Sequence, residues 1–111
     1  MKDSKLIDSS VWLAYLFNGL YSEIIDSDEI LLLSALSLFE IKKKLSKKRV
    51  DITKIAKSIE FIKKKSLIIP VTGDIAEKAV DLSLENGLSI IDSLIYTTSI
   101  LNESTLITSD N

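Results

Sequence analysis

Cysteine and histidine are both absent from this sequence of 111 residues. Their absence excludes disulfide bonds, zinc fingers, thiol nucleophiles and every catalytic triad that depends on histidine. Any catalysis by this chain must therefore use carboxylates, hydroxyl groups, lysine, tyrosine or a metal ion held by oxygen ligands.

Long apolar runs are missing as well. No stretch approaches the ~20 apolar residues that a membrane-spanning helix needs, and the polar first residues do not fit a signal peptide. Apolar residues make up 46% of the chain and charged residues 27%, which is typical of a folded protein. We therefore expect one cytoplasmic domain that spans residues 1–111 and has no membrane partner.

Positive charge is concentrated in the middle of the chain, although the net charge is only −2. Residues 42–65 hold eleven basic and two acidic side chains, a net charge of +9, and the remainder of the chain carries −11. This asymmetry favours a face that binds a polyanion, but lysine-rich helices exposed to solvent would give the same pattern. The candidates for phosphate contacts are Lys43, Lys44, Lys47 and Lys48.

Short apolar runs alternate with stretches of helical periodicity. The predicted strands are 6–8, 30–33, 67–69 and 105–108, and the predicted helices are 10–17, 35–47, one capped by Asp51 or Thr53, 74–86 and 90–102. Strands that alternate with helices of this length predict an α/β fold, in which helices cover both faces of a parallel sheet.

Four acidic residues occupy positions where such a fold places functional groups, and each also has a simpler structural explanation. Asp8 follows the first strand but is a favoured N-cap for the helix that begins there. Glu40 lies off the apolar face of its helix and is spaced to pair with Lys44 one turn later. Asp92 is the fourth residue of a capping-box sequence, and Asp110 follows the last strand, where an aspartate in a turn is common.

The position of these acids in the predicted fold is what they share. The carboxyl ends of parallel strands meet at one edge of a sheet, and ligands bind just outside that edge. Carboxylates within ~4–6 Å of one another repel and need a cation to stay ionised. Oxygen ligands without histidine or cysteine favour Mg²⁺ or Mn²⁺, which activate water and neutralise charge on a phosphoryl group. Beside a basic segment, this pattern predicts a phosphodiesterase that acts on nucleic acid.

Trp12 and Tyr15 have two interpretations. Exposed rings would stack on nucleic-acid bases. Helical spacing directly after a buried strand favours the other interpretation, in which both rings pack in the core or at a dimer contact.

Four motifs in this order resemble those of the PIN domain family and are most similar to the small VapC-type toxin ribonucleases. They are LIDSSVWLA (6–14), SLFEI (37–41), GLSIIDSLI (87–95) and LITSDN (106–111). The resemblance implies a PIN-like three-layer sandwich with a central parallel sheet of four to five strands. Its implied metal-binding catalytic acids are Asp8, Glu40, Asp92 and Asp110, with Ser10 and Thr108 as supporting polar residues.

The same resemblance has consequences for substrate and partners. It implies cleavage of RNA by water activated on Mg²⁺ or Mn²⁺, a homodimer and, for a toxin, a cognate antitoxin that fills the site region. Family members continue past the fourth acid with a further helix and an edge strand, whereas this sequence ends at Asn111. Either the sequence is truncated after Asn111, or this member of the family lacks those two elements.

Three alternatives to a toxin stay open. An RNA-processing PIN nuclease would use the same acids, and a PIN-fold module that binds RNA or regulates without catalysis would hold no productive metal. A phosphotransfer domain of receiver or haloacid-dehalogenase type would use Asp8 as its nucleophile. The dehalogenase type needs an acid two residues after the nucleophile, where this sequence has Ser10.

Overall fold

The computed structural model describes residues 4–109. The elements in chain order are β1 (Lys5–Ile7), α1 (Ser9–Asn18), α2 (Ser22–Ile25), β2 (Leu31–Ser34), α3 (Ala35–Lys47), α4 (Ile52–Lys65), β3 (Ser66–Ile69), α5 (Gly73–Asn86), α6 (Ile90–Leu101) and β4 (Thr105–Ile107). Within this range, no helix is long and apolar enough to cross a membrane.

The four strands form one parallel sheet in the order β3-β2-β1-β4. The first strand lies inside the sheet, where Leu6 pairs with Leu32 of β2 and with Leu106 of β4. Because all four strands run in the same direction, their carboxyl ends meet at one edge. Asp8 follows β1 at that edge, and Thr108 follows β4 beside it.

Apolar side chains cover both faces of the sheet. Successive residues of a strand point to opposite faces, so Ile7 packs in a large cluster with side chains of α1, α3 and α4, whereas Leu6 packs with Leu32 and with Ile95 of α6. Helices therefore lie on each side of the strands. The predicted three-layer α/β sandwich with a parallel sheet is confirmed.

Helices begin directly after strands at this edge, and polar side chains fix where they start. Asp8 caps α1 by accepting a hydrogen bond from the backbone N–H of Ser10, and Ser34 caps α3 in the same way. Asp51, one of the two predicted caps, starts α4, and Ser89 starts α6 as predicted. The caps therefore place the first turns of α1 and α3 immediately beyond β1 and β2.

The predicted ends of β1, β2 and β4 each differ by one residue from those in the structure. The sequence predicts β1 through Asp8, but the strand ends at Ile7, because the Asp8 carbonyl accepts hydrogen bonds from Val11 and Trp12 in the first turn of α1. The last strand ends at Ile107, and Thr108 lies beyond it. Asp8 and Thr108 thus lie just beyond the ends of their strands, where their side chains contact each other.

Trp12 and Tyr15 belong to the core, as helical spacing favours. Trp12 is fully buried, with its ring edge-to-face against Tyr15 and Phe61. The Tyr15 ring stacks on Phe61, and its hydroxyl donates a hydrogen bond of 2.7 Å to Asp26, which raises the pKa of Tyr15. These rings are therefore already paired within the protein.

Candidate active site

Asp8 has a carboxylate that is held on one oxygen only. Its Oδ2 accepts hydrogen bonds from the Ser10 hydroxyl at 2.6 Å, the Ser10 backbone N–H at 3.3 Å and the Thr108 hydroxyl at 3.3 Å. Within residues 4–109, no hydrogen bond reaches its Oδ1. The N-cap function and a ligand function are therefore compatible, because capping uses one oxygen and leaves the other available.

Ser10 and Thr108 join α1 to the end of β4, which fits the supporting role that the resemblance implies for them. The Ser10 hydroxyl, which donates to Asp8, also accepts a hydrogen bond from the Ser109 backbone N–H at 3.2 Å and lies 3.4 Å from the Thr108 hydroxyl oxygen. The backbone N–H of Asp8 donates to the carbonyl of Ile107 at 2.9 Å. This network fixes the position of Asp8 relative to the last strand.

Glu40 is half-buried and contacts α1. The Ser9 hydroxyl donates a hydrogen bond of 3.0 Å to its Oε1. The alternative explanation, an ion pair between Glu40 and Lys44, is not formed in the described part of the chain, where the ion pairs are Lys5–Glu29 and Lys78–Asp74. Glu40 is thus held toward the start of α1 by Ser9, the residue that follows Asp8 in the sequence.

Asp92 is exposed in the first turn of α6. The Ser89 hydroxyl accepts a hydrogen bond from the Asp92 backbone N–H at 3.2 Å, so one half of the predicted capping box is present. The other half would require the Asp92 carboxylate to accept from Ser89, but this carboxylate forms no hydrogen bond or ion pair with residues 4–109. Capping therefore uses the backbone of Asp92 and leaves its carboxylate available.

Asp8 and Asp92 line one cavity of about 250 Å³, together with Thr108. Glu40 lines a separate groove of about 400 Å³, to which Ile91, the neighbour of Asp92, also contributes. The structure therefore brings two of the predicted acids to one cavity and places the third in a groove beside α6.

The positions of the acids indicate whether the described residues could form a metal site. Asp110, the fourth predicted acid, lies outside the described residues. Across residues 4–109, no group of three or more His, Cys, Asp or Glu side chains is placed to hold a metal ion. The donor chemistry of carboxylates and hydroxyls fits Mg²⁺ or Mn²⁺, but the three described acids do not complete a site by themselves.

Lysine side chains share the groove with Glu40. Lys43, Lys44 and Lys47 line it, whereas Lys48 is the C-cap of α3 and lies outside the lining. In the described part of the chain, none of these four ammonium groups forms an ion pair or a hydrogen bond. Three of the four predicted phosphate-binding lysines are therefore available beside one of the predicted acids.

Sequence reasoning missed Tyr96, which lines the cavity with Asp8 and Asp92, and also Ser9 and Phe39. Ser9 precedes the predicted start of α1, and nothing in its local pattern links it to a glutamate 31 positions away. The sequence did contain a signal that could have identified Phe39. It falls outside the apolar face formed by Leu38, Ile41 and Leu45, and a large ring on the polar side of a helix is a candidate contact for a ligand.

Proteins of known structure share this fold. The model of the PIN domain family matches residues 5–111, while no curated protein matches the sequence. A toxin–antitoxin complex from Klebsiella pneumoniae is similar in structure, with a TM-score of 0.76, 24% identity and coverage of 96% of this chain and 87% of that chain.

Two further solved structures share the architecture at lower identity. The Mycobacterium tuberculosis toxin VapC20, described as cleaving the sarcin–ricin loop, has a TM-score of 0.75, 17% identity and coverage of 97% of this chain and 91% of that chain. VapBC2 from Rickettsia felis, bound to a DNA fragment from their promoter, has a TM-score of 0.76, 16% identity and coverage of 96% and 87%. Since the family model covers almost the whole sequence and the solved structures share its fold, this chain belongs to the PIN domain family.

Proposed function

We propose that this chain is a divalent-metal-dependent endoribonuclease whose catalytic, metal-binding acids are Asp8, Glu40, Asp92 and Asp110. PIN domains are generally nucleases and usually use divalent metals. The observation that carries the proposal is that Asp8 and Asp92 line one cavity at the carboxyl edge of the sheet. Each keeps a carboxylate oxygen without a hydrogen-bond donor from residues 4–109, and such an oxygen is available to a hard cation.

The division of work among the residues follows from their contacts. Mg²⁺ or Mn²⁺ bound by these acids would supply an activated water and neutralise charge on the phosphodiester. Ser10 and Thr108 hold one oxygen of Asp8, and Ser9 holds one oxygen of Glu40. Ordered carboxylates lose less freedom when they bind a cation, and therefore bind it more tightly.

We propose that the basic side of α3 attracts the RNA substrate. Lys43, Lys44 and Lys47 line the groove that also contains Glu40. Their ammonium groups would bind backbone phosphates on either side of the cleaved bond, with Lys48 as an additional contact outside the groove. An RNA strand along α3 would then pass next to Glu40.

The biological role that we propose is the toxin of a VapBC-type toxin–antitoxin pair. This role implies a cytoplasmic homodimer of a single domain, residues 1–111, that a cognate antitoxin inhibits at the site region. It is supported by the likeness to the toxin–antitoxin complex from Klebsiella pneumoniae and to VapBC2 from Rickettsia felis. An RNA-processing nuclease would have the same chemistry. The two roles would be distinguished by whether a small antitoxin gene lies next to the gene for this chain.

The proposal is tested by cleavage of a labelled single-stranded RNA with and without Mn²⁺ or Mg²⁺, by wild type and Asp92→Asn. We expect metal-dependent cleavage that falls by at least about 100-fold in the variant, with an unchanged thermal midpoint, because the cap at Asp92 uses its backbone N–H. Asp74→Asn is the matched control, since Asp74 is an exposed first-turn aspartate of α5 that lies outside the cavity.

One outcome would contradict the proposal directly. Equal, metal-independent cleavage by wild type and Asp92→Asn would identify a contaminating nuclease, and the chain would have no activity of its own.

A second candidate function is a non-catalytic PIN-fold module that binds RNA, which would not need a complete set of metal ligands. The acids within residues 4–109 do not form a group of three that is placed to hold a metal. A pure protein that binds RNA but shows neither cleavage nor Mn²⁺ binding in a calorimetric titration would establish this alternative.

A further inference from the structure

We propose that the ring of Phe39 is a stacking platform for one base of single-stranded RNA and that it sets the position of the strand beside Glu40. This inference rests on the proposed function for its substrate class. Its test measures binding, so that it can succeed or fail independently of cleavage.

Exposure is the first reason to assign a role to Phe39. Its side chain is 64% exposed on α3, whereas Trp12 is fully buried and Tyr15 and Phe61 stack on each other. A single exposed apolar residue needs no explanation by itself. The position of Phe39 is therefore a stronger reason than its exposure to assign it a role.

Its position is a groove whose charged lining is mostly positive. Phe39 lines the groove of about 400 Å³ together with Lys43, Lys44, Lys47 and Glu40. A positively charged groove with an aromatic ring is the combination by which proteins bind single-stranded nucleic acid, because the lysines follow the phosphates while bases stack on the ring. The groove has the size of a small-molecule site, which suits one nucleotide better than a protein helix.

The contact between Lys43 and Phe39 joins the two functions. The Lys43 ammonium lies 5.8 Å from the centre of the Phe39 ring, within the range of a cation–π interaction. This contact places a cation over one face of the ring, where it would reach the phosphate of a nucleotide whose base stacks on the other face. Charge complementarity therefore favours a polyanion with bases over an apolar partner.

The platform also has a fixed relation to the proposed catalytic acids. Phe39 and Glu40 are consecutive on one helix, and the Ser9 hydroxyl holds Glu40. Ile91, next to Asp92, lines the same groove. A base that stacks on Phe39 would therefore place its own nucleotide next to the acids, rather than at a distant anchoring point.

The test is fluorescence anisotropy with a labelled ten-nucleotide oligouridylate in EDTA, which prevents cleavage, beside an abasic strand of the same length. We expect Phe39→Ala to weaken oligouridylate binding by about tenfold and to leave abasic binding unchanged, since the lysines remain. Phe39→Trp should bind at least as tightly as wild type. Phe17→Ala is the matched control, because Phe17 is 45% exposed at the end of α1 and outside this groove.

The outcomes separate this inference from the proposed nuclease. Oligouridylate binding by Phe39→Ala equal to that of wild type would overturn the platform, even if cleavage is intact. The same loss for both strands would overturn it too, because a base would not be required. A tenfold loss confined to the oligouridylate would support the platform, even if the protein cleaves nothing. Loss of antitoxin binding with unchanged RNA binding would assign Phe39 to the protein partner instead.

Discussion

The acidic edge of the sheet (Asp8, Glu40 and Asp92) and the basic face of α3 (Lys43, Lys44 and Lys47) are built in different ways. Asp8 and Glu40 accept four hydrogen bonds from serine and threonine hydroxyls and a backbone N–H. Within residues 4–109, the ammonium groups of the three lysines donate no hydrogen bond. The carboxylates of Asp8 and Glu40 are thus held in place, whereas the Asp92 carboxylate and the three ammonium groups form no hydrogen bond within residues 4–109.

The difference matches two kinds of physical demand. Metal ligands must keep their positions to a fraction of an ångström, so hydrogen bonds that fix them are useful. Attraction between lysine and phosphate acts over about 10 Å at ordinary salt and tolerates mobile side chains. We therefore expect substitutions at the acidic edge to change turnover, and substitutions on the basic face to change affinity and its dependence on salt.

The largest effect on turnover is expected at Asp8, where ligand and cap roles can be separated. Asp8→Asn keeps a good N-cap but removes the charge, so metal-dependent RNA cleavage should fall by at least about 100-fold with stability unchanged. Asp8→Ala should lose the same activity and, in addition, about 1 kcal/mol of the free energy of unfolding. Cleavage assays and urea unfolding measure the two quantities. Wild-type cleavage by Asp8→Asn would mean that Asp8 serves the helix alone.

An intermediate effect is expected at Ser9, which contacts Glu40. Ser9→Ala should lower turnover by about tenfold and raise the Mn²⁺ concentration required for half-maximal cleavage, because Glu40 loses the donor that positions it. Ser9→Thr keeps a hydroxyl and should restore most of the activity. Ser22→Ala is the matched control, since Ser22 is also the first residue of a helix and is exposed. An unchanged Mn²⁺ requirement in Ser9→Ala would limit its hydroxyl to a structural contact.

The smallest effect on turnover is expected on the basic face. Replacing Lys43, Lys44 and Lys47 together by glutamine should leave cleavage at saturating RNA nearly unchanged. The slope of log affinity against log salt should become shallower by about 2, because each lost phosphate contact contributes about 0.7 for a single strand. Anisotropy titrations at several salt concentrations measure this slope.

A matched triple substitution tests whether position or total charge matters on that face. Lys54, Lys57 and Lys63 lie on α4 and outside the groove that contains Glu40. Their replacement by glutamine should change the slope much less, although it removes the same charge. Equal changes in both triple variants would show that the basic segment acts as a diffuse positive field and would remove the contrast between the two regions.

The architecture was predictable because its signals are local. Short apolar runs, changes of period at residues such as Ala35, and caps such as Asp51 and Ser89 are each visible within a few residues. Gly87, with a φ of 64°, ends α5 in the left-handed conformation that is common for a glycine directly after a helix. These local signals define the elements, and the rules for parallel sheets then restrict how they assemble.

The detailed contacts of the candidate site were not predictable, because they join distant segments. The bond between Ser9 and Glu40 spans 31 positions and depends on how α1 packs against α3. Local spacing instead suggested Lys44 as the partner of Glu40, an interaction that is weak when exposed. The capping sequence at Ser89, by contrast, predicted the backbone contact of Asp92, and the shared position at the sheet edge predicted that its carboxylate would lie near Asp8.

The hydrogen bond between Asp8 and Thr108 has a consequence for the timing of assembly. It spans 100 positions, so Asp8 leaves the ribosome together with Ser10 but long before Thr108, the other side chain that holds its carboxylate. Contacts this distant in sequence form late, because a long loop must close first. A nascent chain that lacks β4 would therefore present Asp8 without this support. The hydrogen-bond network around Asp8 would therefore be complete only after translation has passed Thr108.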